Sequence, residues 1–290
     1  MQIVTDSGTN VGLVPDEMKR LKIHVVPLSV TIAEKTYREG IDLDAGRFYP
    51  LLDASTEMPT TSQPPAGEFA ALYRELAKTD PEILSIHMSS GLSGTYNAAL
   101  TGAAMAPEAH VSVIDTHTLG APAGWQVEAA ARAAAAGWSR DRILDLVKKI
   151  SDATETYYTL KELKYLIHGG RISHLKGLVA SLLNIKPLIG VEKEHGTYIQ
   201  AGQSMSFANA IKGLADLISR RYPADTVMRM QVVHAANVDG ALALKDEVGK
   251  RFKAIWLPLS ELSLVLGAHV GRSMIGIAFA PEEVFKSVPK

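Results

Sequence analysis

Short apolar runs, each closed by polar or turn-forming positions, alternate along the first half of the chain with segments whose apolar residues recur every three or four positions. The runs Ile3 to Thr5, Ile23 to Thr31, Ile83 to Met88 and Val111 to Asp115 are rich in Val and Ile and predict strands. Gly67 to Lys78, Tyr96 to Met105, Ala121 to Ala136 and Arg140 to Asp152 predict helices, the last with Ile143, Leu144, Val147 and Ile150 on one face. This β/α alternation predicts a Rossmann-like, doubly wound α/β domain with a mostly parallel sheet over residues 1–152.

The pattern then changes. Tyr157 to Thr159 reads as a strand, Leu160 to His168 as a helix, and Gly169-Gly170-Arg171 as a turn feeding a second helix from Leu175 to Leu183. Lys186 to Glu192 and Gly196 to Ala201 flank a turn and predict a hairpin. A helix from Phe207 to Arg221, a strand from Met228 to His234, a helix from Asp239 to Arg251 and a strand from Ala254 to Leu259 follow. The Gly-rich ending, Leu264 to Phe279, predicts a turn and a final buried strand. Residues 153–290 therefore read as a second domain of mixed α+β type.

Two hydroxyl-rich segments interrupt this frame: Thr60-Thr61-Ser62-Gln63-Pro64 and Ser89-Ser90-Gly91-Leu92-Ser93-Gly94-Thr95. Each falls where a predicted strand hands over to a loop, so their hydroxyls and backbone N–H groups could converge on one carboxylate or phosphate. Plainer readings stand beside this one. Thr61, Ser62 and Ser93 each precede a predicted helix and fit N-terminal caps. His269, in an apolar run, fits a core histidine, and Arg171, after a glycine pair, fits a helix C-terminal cap. Asp6 and Ser7 fit hydrogen bonds to neighbouring loops.

Composition narrows the chemistry. The 290 residues suffice for two compact domains, and a net charge of -1 offers no basic field for nucleic acid or an anionic membrane surface. Without cysteine there is no disulfide, thiolate metal site or Cys nucleophile. No apolar run reaches the roughly 18 residues needed to span a bilayer, and Met1 to Asp6 enters a strand without a signal-peptide pattern, so a cytoplasmic protein with no integral membrane segment is expected. The chain has neither a G-x-x-x-x-G-K-[ST] loop nor a G-x-G-x-x-G turn, and its histidines show no H-E-x-x-H pair, so no nucleotide cofactor and no metal is expected. Gly91-Leu92-Ser93-Gly94-Thr95 opens like a nucleophile elbow but carries Thr95 where that motif needs glycine.

Five motifs in order carry a resemblance: Thr5-Asp6-Ser7, Thr61-Ser62-Gln63-Pro64, Ser89 to Gly94, Gly170-Arg171-Ile172 with Ile185-Lys186-Pro187, and Ala268-His269-Val270-Gly271. With them the chain resembles the DegV family, which includes the fatty-acid-binding subunit of bacterial fatty acid kinase. The resemblance implies a two-domain α/β fold holding one long-chain fatty acid between the domains. It implies that Thr61, beside Ser62, and Ser93 bind the carboxylate, with Gly94 allowing close backbone approach. It places His269 near the carboxylate, as a donor strengthened by protonation, and Arg171 at the mouth. It also implies a non-catalytic carrier that presents its ligand to a dihydroxyacetone-kinase-like fatty acid kinase subunit for acyl phosphate formation. Apolar residues available to line a tail slot are Leu28, Ile167, Leu178, Leu182, Leu183, Ile185, Leu264 and Leu266.

Two departures bear on this reading. Gln203 to Asn209 lacks the basic residues that many relatives carry there, and Arg272 stands where relatives often have proline, with reach to an anion or to the site's walls. A reading of another class also stands: a hydrolase or transferase acting alone on a small phosphorylated or acylated substrate, with Ser93 as nucleophile and His269 as base.

Overall fold

The computed structural model describes residues 1–175 and 185–290. Strand β1 (Gln2–Asp6) is buried along its whole length, and α1 (Pro15–Arg20), which opens on proline, leads to β2 (Ile23–Val26). Pro27 has no N–H to give a ladder, and the run expected as one strand from Ile23 to Thr31 divides there. Its second part, β3 (Ser29–Ile32), enters a separate antiparallel sheet. There it pairs on one side with β4 (Lys35–Arg38) and, after α2 (Ala45–Ala54), on the other with β5 (Thr60–Ser62). The segment Thr60-Thr61-Ser62 is thus itself a strand, with Thr61 opposite Val30.

Helix α3 (Ala66–Ala77), β6 (Glu82–His87), α4 (Thr95–Ala104), β7 (His110–Asp115), α5 (Ala121–Ala135) and α6 (Arg140–Ala153) complete the first half. The four parallel strands are ordered β2-β1-β6-β7. Val4 and Ile83 pack against Phe69 and Tyr73 on one face, while Ile3, Leu84 and Ile86 join the Ala129 side of α5 on the other. Burial on both faces explains why these strands read as continuous apolar runs. Strand order reverses between β1 and β6, so the loops leaving both open side by side at one end of the sheet.

The remaining elements are β8 (Glu155–Thr159), α7 (Lys164–His168), a 3-10 turn at Arg171–His174, β9 (Lys186–Val191), β10 (Tyr198–Ser204), α8 (Phe207–Arg221), β11 (Met228–His234), α9 (Val238–Gly249), β12 (Ala254–Trp256), β13 (Ser260–Glu261), α10 (Leu264–Val270) and β14 (Ile275–Pro281). They form a mixed sheet ordered β10-β9-β8-β14-β11-β12, with β13 also on β11. Leu214, Ile218, Leu244 and Val248 of α8 and α9 cover one face through Met230, Ile277 and Phe279. On the opposite face, Tyr158, Ile189, Val233 and Ala278 share one apolar cluster with Ile3, Leu84 and Ile86 of the first half. Helix α7 starts later than expected, the helix expected from Leu175 to Leu183 lies outside the described residues, and α10 was not expected. Buried on every side, α10 shows no polar stripe to announce a helix.

A glycine-lined contact also joins the halves. A Cβ on Gly91 would overlap the His195 carbonyl oxygen, and one on Gly196 would overlap Ser89 Oγ, so the β9–β10 turn seats directly on the Ser89–Gly91 loop. The Glu192 carboxylate shapes that turn, accepting N–H bonds from Glu194 (2.7 Å), His195 (2.9 Å) and Thr197 (3.1 Å) and the Thr197 hydroxyl (3.0 Å). Burial would raise its pKa, but these donors hold it down at about 2. Gly91→Ala and Gly196→Ala should each lower the calorimetric melting midpoint by several degrees, as overpacking costs about 1–3 kcal/mol. An unchanged midpoint in both variants would show that the turn yields freely.

Candidate functional site

The switch point between β1 and β6 fixes the floor of the site. Asp6, buried at the end of β1, accepts the N–H of Gly8 (2.9 Å) through Oδ1 and that of Met88 (3.0 Å) through Oδ2. Oδ2 also meets His87 Nδ1 at 2.9 Å; His87 Nε2 lies 2.7 Å from Ser85 Oγ, which lies 2.7 Å from Tyr73 Oη. This Asp-His-Ser order is that of a hydrolase triad, yet all three residues are buried in the core, where they tie β1 to β6. Ser7 donates to Glu39 (2.6 Å) and accepts the Leu28 N–H (3.1 Å). The Thr5-Asp6-Ser7 motif therefore holds neighbouring backbone, as its supporting reading expects.

Above this floor, Thr61 and His269 meet: Thr61 Oγ1 lies 2.8 Å from His269 Nε2. Strand β5 supplies the first and α10 the second, from opposite halves of the chain. Ser93 lies across the cleft at the start of α4, with Oγ 2.8 Å from Thr95 Oγ1 and accepting the Thr95 N–H at 3.3 Å. The Ser93 hydroxyl thus sits at the positive end of a helix, as a capping side chain does. Gly94 follows, where a Cβ would come within 2.7 Å of Gln63 Nε2, so the two hydroxyl-rich segments touch through a residue without a side chain. Arg171 donates to the carbonyls of Leu92 (3.3 Å) and Gly169 (2.6 Å), which hold the guanidinium beside the Ser93 loop without cancelling its charge.

Thr61, Ser62, Ser93, Arg171 and His269 all line one cavity, with Gln63, Leu28, Met88, Leu92, Leu119, Tyr198, Val265 and Leu266. Ser62 is exposed, whereas Thr61 and Ser93 are half-buried. A second, mostly apolar cavity adjoins the first: Leu119, Tyr198 and Leu266 belong to the walls of both. Its further walls include Tyr158, Val233, Leu262, Val270 and Met274, none of which the sequence reading named among the residues lining an apolar slot. Of the residues expected to line an apolar slot, Leu266 lines both cavities and Leu28 only the hydroxyl-lined one; Ile185 and Leu264 are buried, and Ile167 is 43 % exposed. Leu178, Leu182 and Leu183 lie outside the described residues. An open cleft between Ser90–Gly94 and Gly169–Arg171 shares Leu92, Ser93 and Arg171 with the polar cavity.

Three expectations change. His269 does not supply a positive charge near neutral pH: burial first, then the positive Arg171 and His168, push its pKa down to about 4. Nor is it placed as a base for Ser93, since its Nε2 meets Thr61 while the Ser93 hydroxyl meets Thr95. Arg272 pairs with Asp53 on the surface and does not turn to the anion side. No group of three or more His, Asp or Glu among the described residues is placed to hold a metal ion, and no helix among them is long and apolar enough to cross a membrane.

Fold and site together define a class: a mixed α/β protein whose sheet switch point opens into a hydroxyl-lined cavity with an apolar cavity behind it. The family model described as an uncharacterised protein of the DegV family matches residues 1–282, and the chain belongs to that family. A DegV domain-containing protein from Halalkalibacterium halodurans is 32% identical over 282 residues, covering 97% of this chain and 98% of the relative. Protein DegV from Bacillus subtilis is 31% identical over 96% of this chain and 98% of its own. Among solved structures, a fatty-acid-binding DegV family protein from Thermus thermophilus superposes with a TM-score of 0.86 at 26% identity, covering 97% of this chain and 99% of that one. DegV from Bacillus subtilis, described as a fatty acid binding protein, superposes with a TM-score of 0.85 at 30% identity, covering 96% and 98%.

The depressed pKa of His269 has a signed consequence for stability. Between pH 6.5 and about 4, the unfolded chain binds a proton at His269 that the folded chain lacks, so stability falls as the pH drops through that window. His269→Gln should remove this part of the loss, read as a smaller shift of the urea midpoint between about pH 7 and pH 5 than the parent chain shows. An equal shift in both proteins would place the His269 pKa in its ordinary range.

Proposed function

We propose that this protein binds a long-chain fatty acid, with its carboxylate held by Thr61 and Ser93 and its tail running from the polar cavity into the apolar one. The observation that carries this reading is the shared wall of Leu119, Tyr198 and Leu266, which joins a hydroxyl-lined chamber to an apolar chamber. An amphiphile with an anionic head and an apolar tail matches that division, and the relatives of Thermus thermophilus and Bacillus subtilis are fatty-acid-binding proteins. Near pH 7 a fatty carboxylate is ionised and must exchange water for donors. Neutral His269, protonated on Nε2, donates to Thr61 Oγ1 and leaves the Thr61 proton for the carboxylate; Ser93 gives a second hydroxyl, and Gly94 lets the chain approach closely. Most of the binding free energy comes from the tail, at about 0.8 kcal/mol per buried methylene before ordering costs.

In this reading the chain is a cytoplasmic carrier and not a complete catalyst. The cleft at Ser90–Gly94 and Gly169–Arg171 opens at the carboxylate end, where a dihydroxyacetone-kinase-like fatty acid kinase subunit would reach the ligand to form an acyl phosphate. Arg171, bonded to the Leu92 and Gly169 carbonyls, supplies positive charge where the added phosphoryl group would lie.

Native mass spectrometry of the purified protein, followed by lipid extraction, should find one fatty acid per chain. Thr61→Ala and Ser93→Ala should each weaken fatty acid binding about tenfold or more, the loss of a hydrogen bond to a charged group; Ser93→Ala should leave the melting midpoint little changed, while Thr61→Ala should lower it by a few degrees because the buried His269 Nε2 loses its partner. An empty protein that also fails to bind added fatty acid would overturn the reading.

A further inference from the structure

The apolar cavity contains a polar anomaly. Thr156 and Tyr158 stand two residues apart in β8, hence on one face of the sheet, and both line that cavity. Tyr158 is 4% exposed and its hydroxyl has no hydrogen-bond partner. The neighbouring Tyr198 phenol packs edge-on, with ring centroids 5.6 Å apart; its hydroxyl is near enough to act on Tyr158 by charge and by weak hydrogen bonding, yet falls outside the distance and angle of a full hydrogen bond.

The side chain has little freedom to find a partner elsewhere. β8 is locked between β9 and β14, with Tyr158 opposite Ile189 and Gly276, and even a Cβ on Gly276 would come within 2.9 Å of Tyr158 Cβ. Phenylalanine would fill the same space without leaving a buried donor and acceptor unmet, a costly arrangement in an apolar wall. A full hydrogen-bond partner can come from whatever occupies the cavity that Tyr158 lines. A saturated methylene chain offers none, whereas a hydroxyl on the chain both donates and accepts, as the phenol does.

We propose that Tyr158 selects fatty acids carrying a hydroxyl group along the chain, and that this hydroxyl bonds the Tyr158 Oη. The proposal rests on the fatty-acid reading above and adds the chemical class of the tail. Because the carboxylate end lies in the polar chamber and the chain must pass Leu119, Tyr198 and Leu266 before it reaches Tyr158, the preference is positional. A hydroxyl next to the carboxylate gains nothing.

The test compares the dissociation constant of stearic acid with those of stearic acids hydroxylated near the carboxylate, at mid-chain and near the methyl end, on the full-length protein and on Tyr158→Phe. The parent chain should bind at least one mid-chain isomer about tenfold more tightly than stearic acid. In Tyr158→Phe that order should reverse, because the ligand hydroxyl is then buried without a partner while stearic acid still binds. If the parent chain binds stearic acid at least as tightly as every isomer, the proposal fails and the fatty-acid reading stands. If the preference persists in Tyr158→Phe, selection lies elsewhere and the proposal fails too. If no fatty acid binds the parent chain, both fall. The comparison within the parent chain holds however the variant folds.

Discussion

The site exists because α10 is hung from the first half of the chain by its N-terminal end. Glu39 accepts the Ser7 hydroxyl (2.6 Å), the Ser263 hydroxyl (2.9 Å) and the Leu264 N–H, while Asn10 accepts the Ser263 N–H at 2.6 Å. Burial pushes the Glu39 carboxyl up in pKa, and its three donors oppose that cost. These bonds orient a helix that belongs in sequence to the second half but contributes His269 to a residue of the first. The polar contact between Thr61 and His269, and the cavity around it, follow from that attachment.

The same arrangement explains why the cavity around Thr61 and Ser93 is lined by neutral hydrogen-bonding groups. His269 is too deeply buried, and too close to Arg171, to carry a proton at neutral pH. Arg171 is displaced toward the open cleft by its hold on the Leu92 and Gly169 carbonyls. The chamber thus grades from hydroxyls within to a fixed positive charge at the mouth.

Much of this was legible in the chain. The strand Met228–His234 and the helix Phe207–Arg221 follow their apolar periodicities to the residue, and Thr61, Ser93, Arg171 and His269 do converge. What escaped had physical causes. Pro27 divides one apolar run between two sheets; Thr60–Ser62 is too short to read as a strand; α10 is apolar on every face. The protonation state of His269 depends on burial and on charges far away in sequence, and the walls Tyr158, Val233 and Met274 come from three strands or strand edges with no shared motif.

One topological fact has a bearing on synthesis. The last strand of the second sheet, β14, is not at its edge but in its middle, between β8 (Glu155–Thr159) and β11 (Met228–His234). A chain emerging from the ribosome can complete the parallel sheet of the first half early, yet its second sheet stays split until residues 275–281 are released. His269 arrives only a few residues before that closure. The cavity around Thr61 and His269 is therefore completed only together with the closing of this sheet, and a chain lacking residues 275–281 would leave the facing edges of β8 and β11 unpaired.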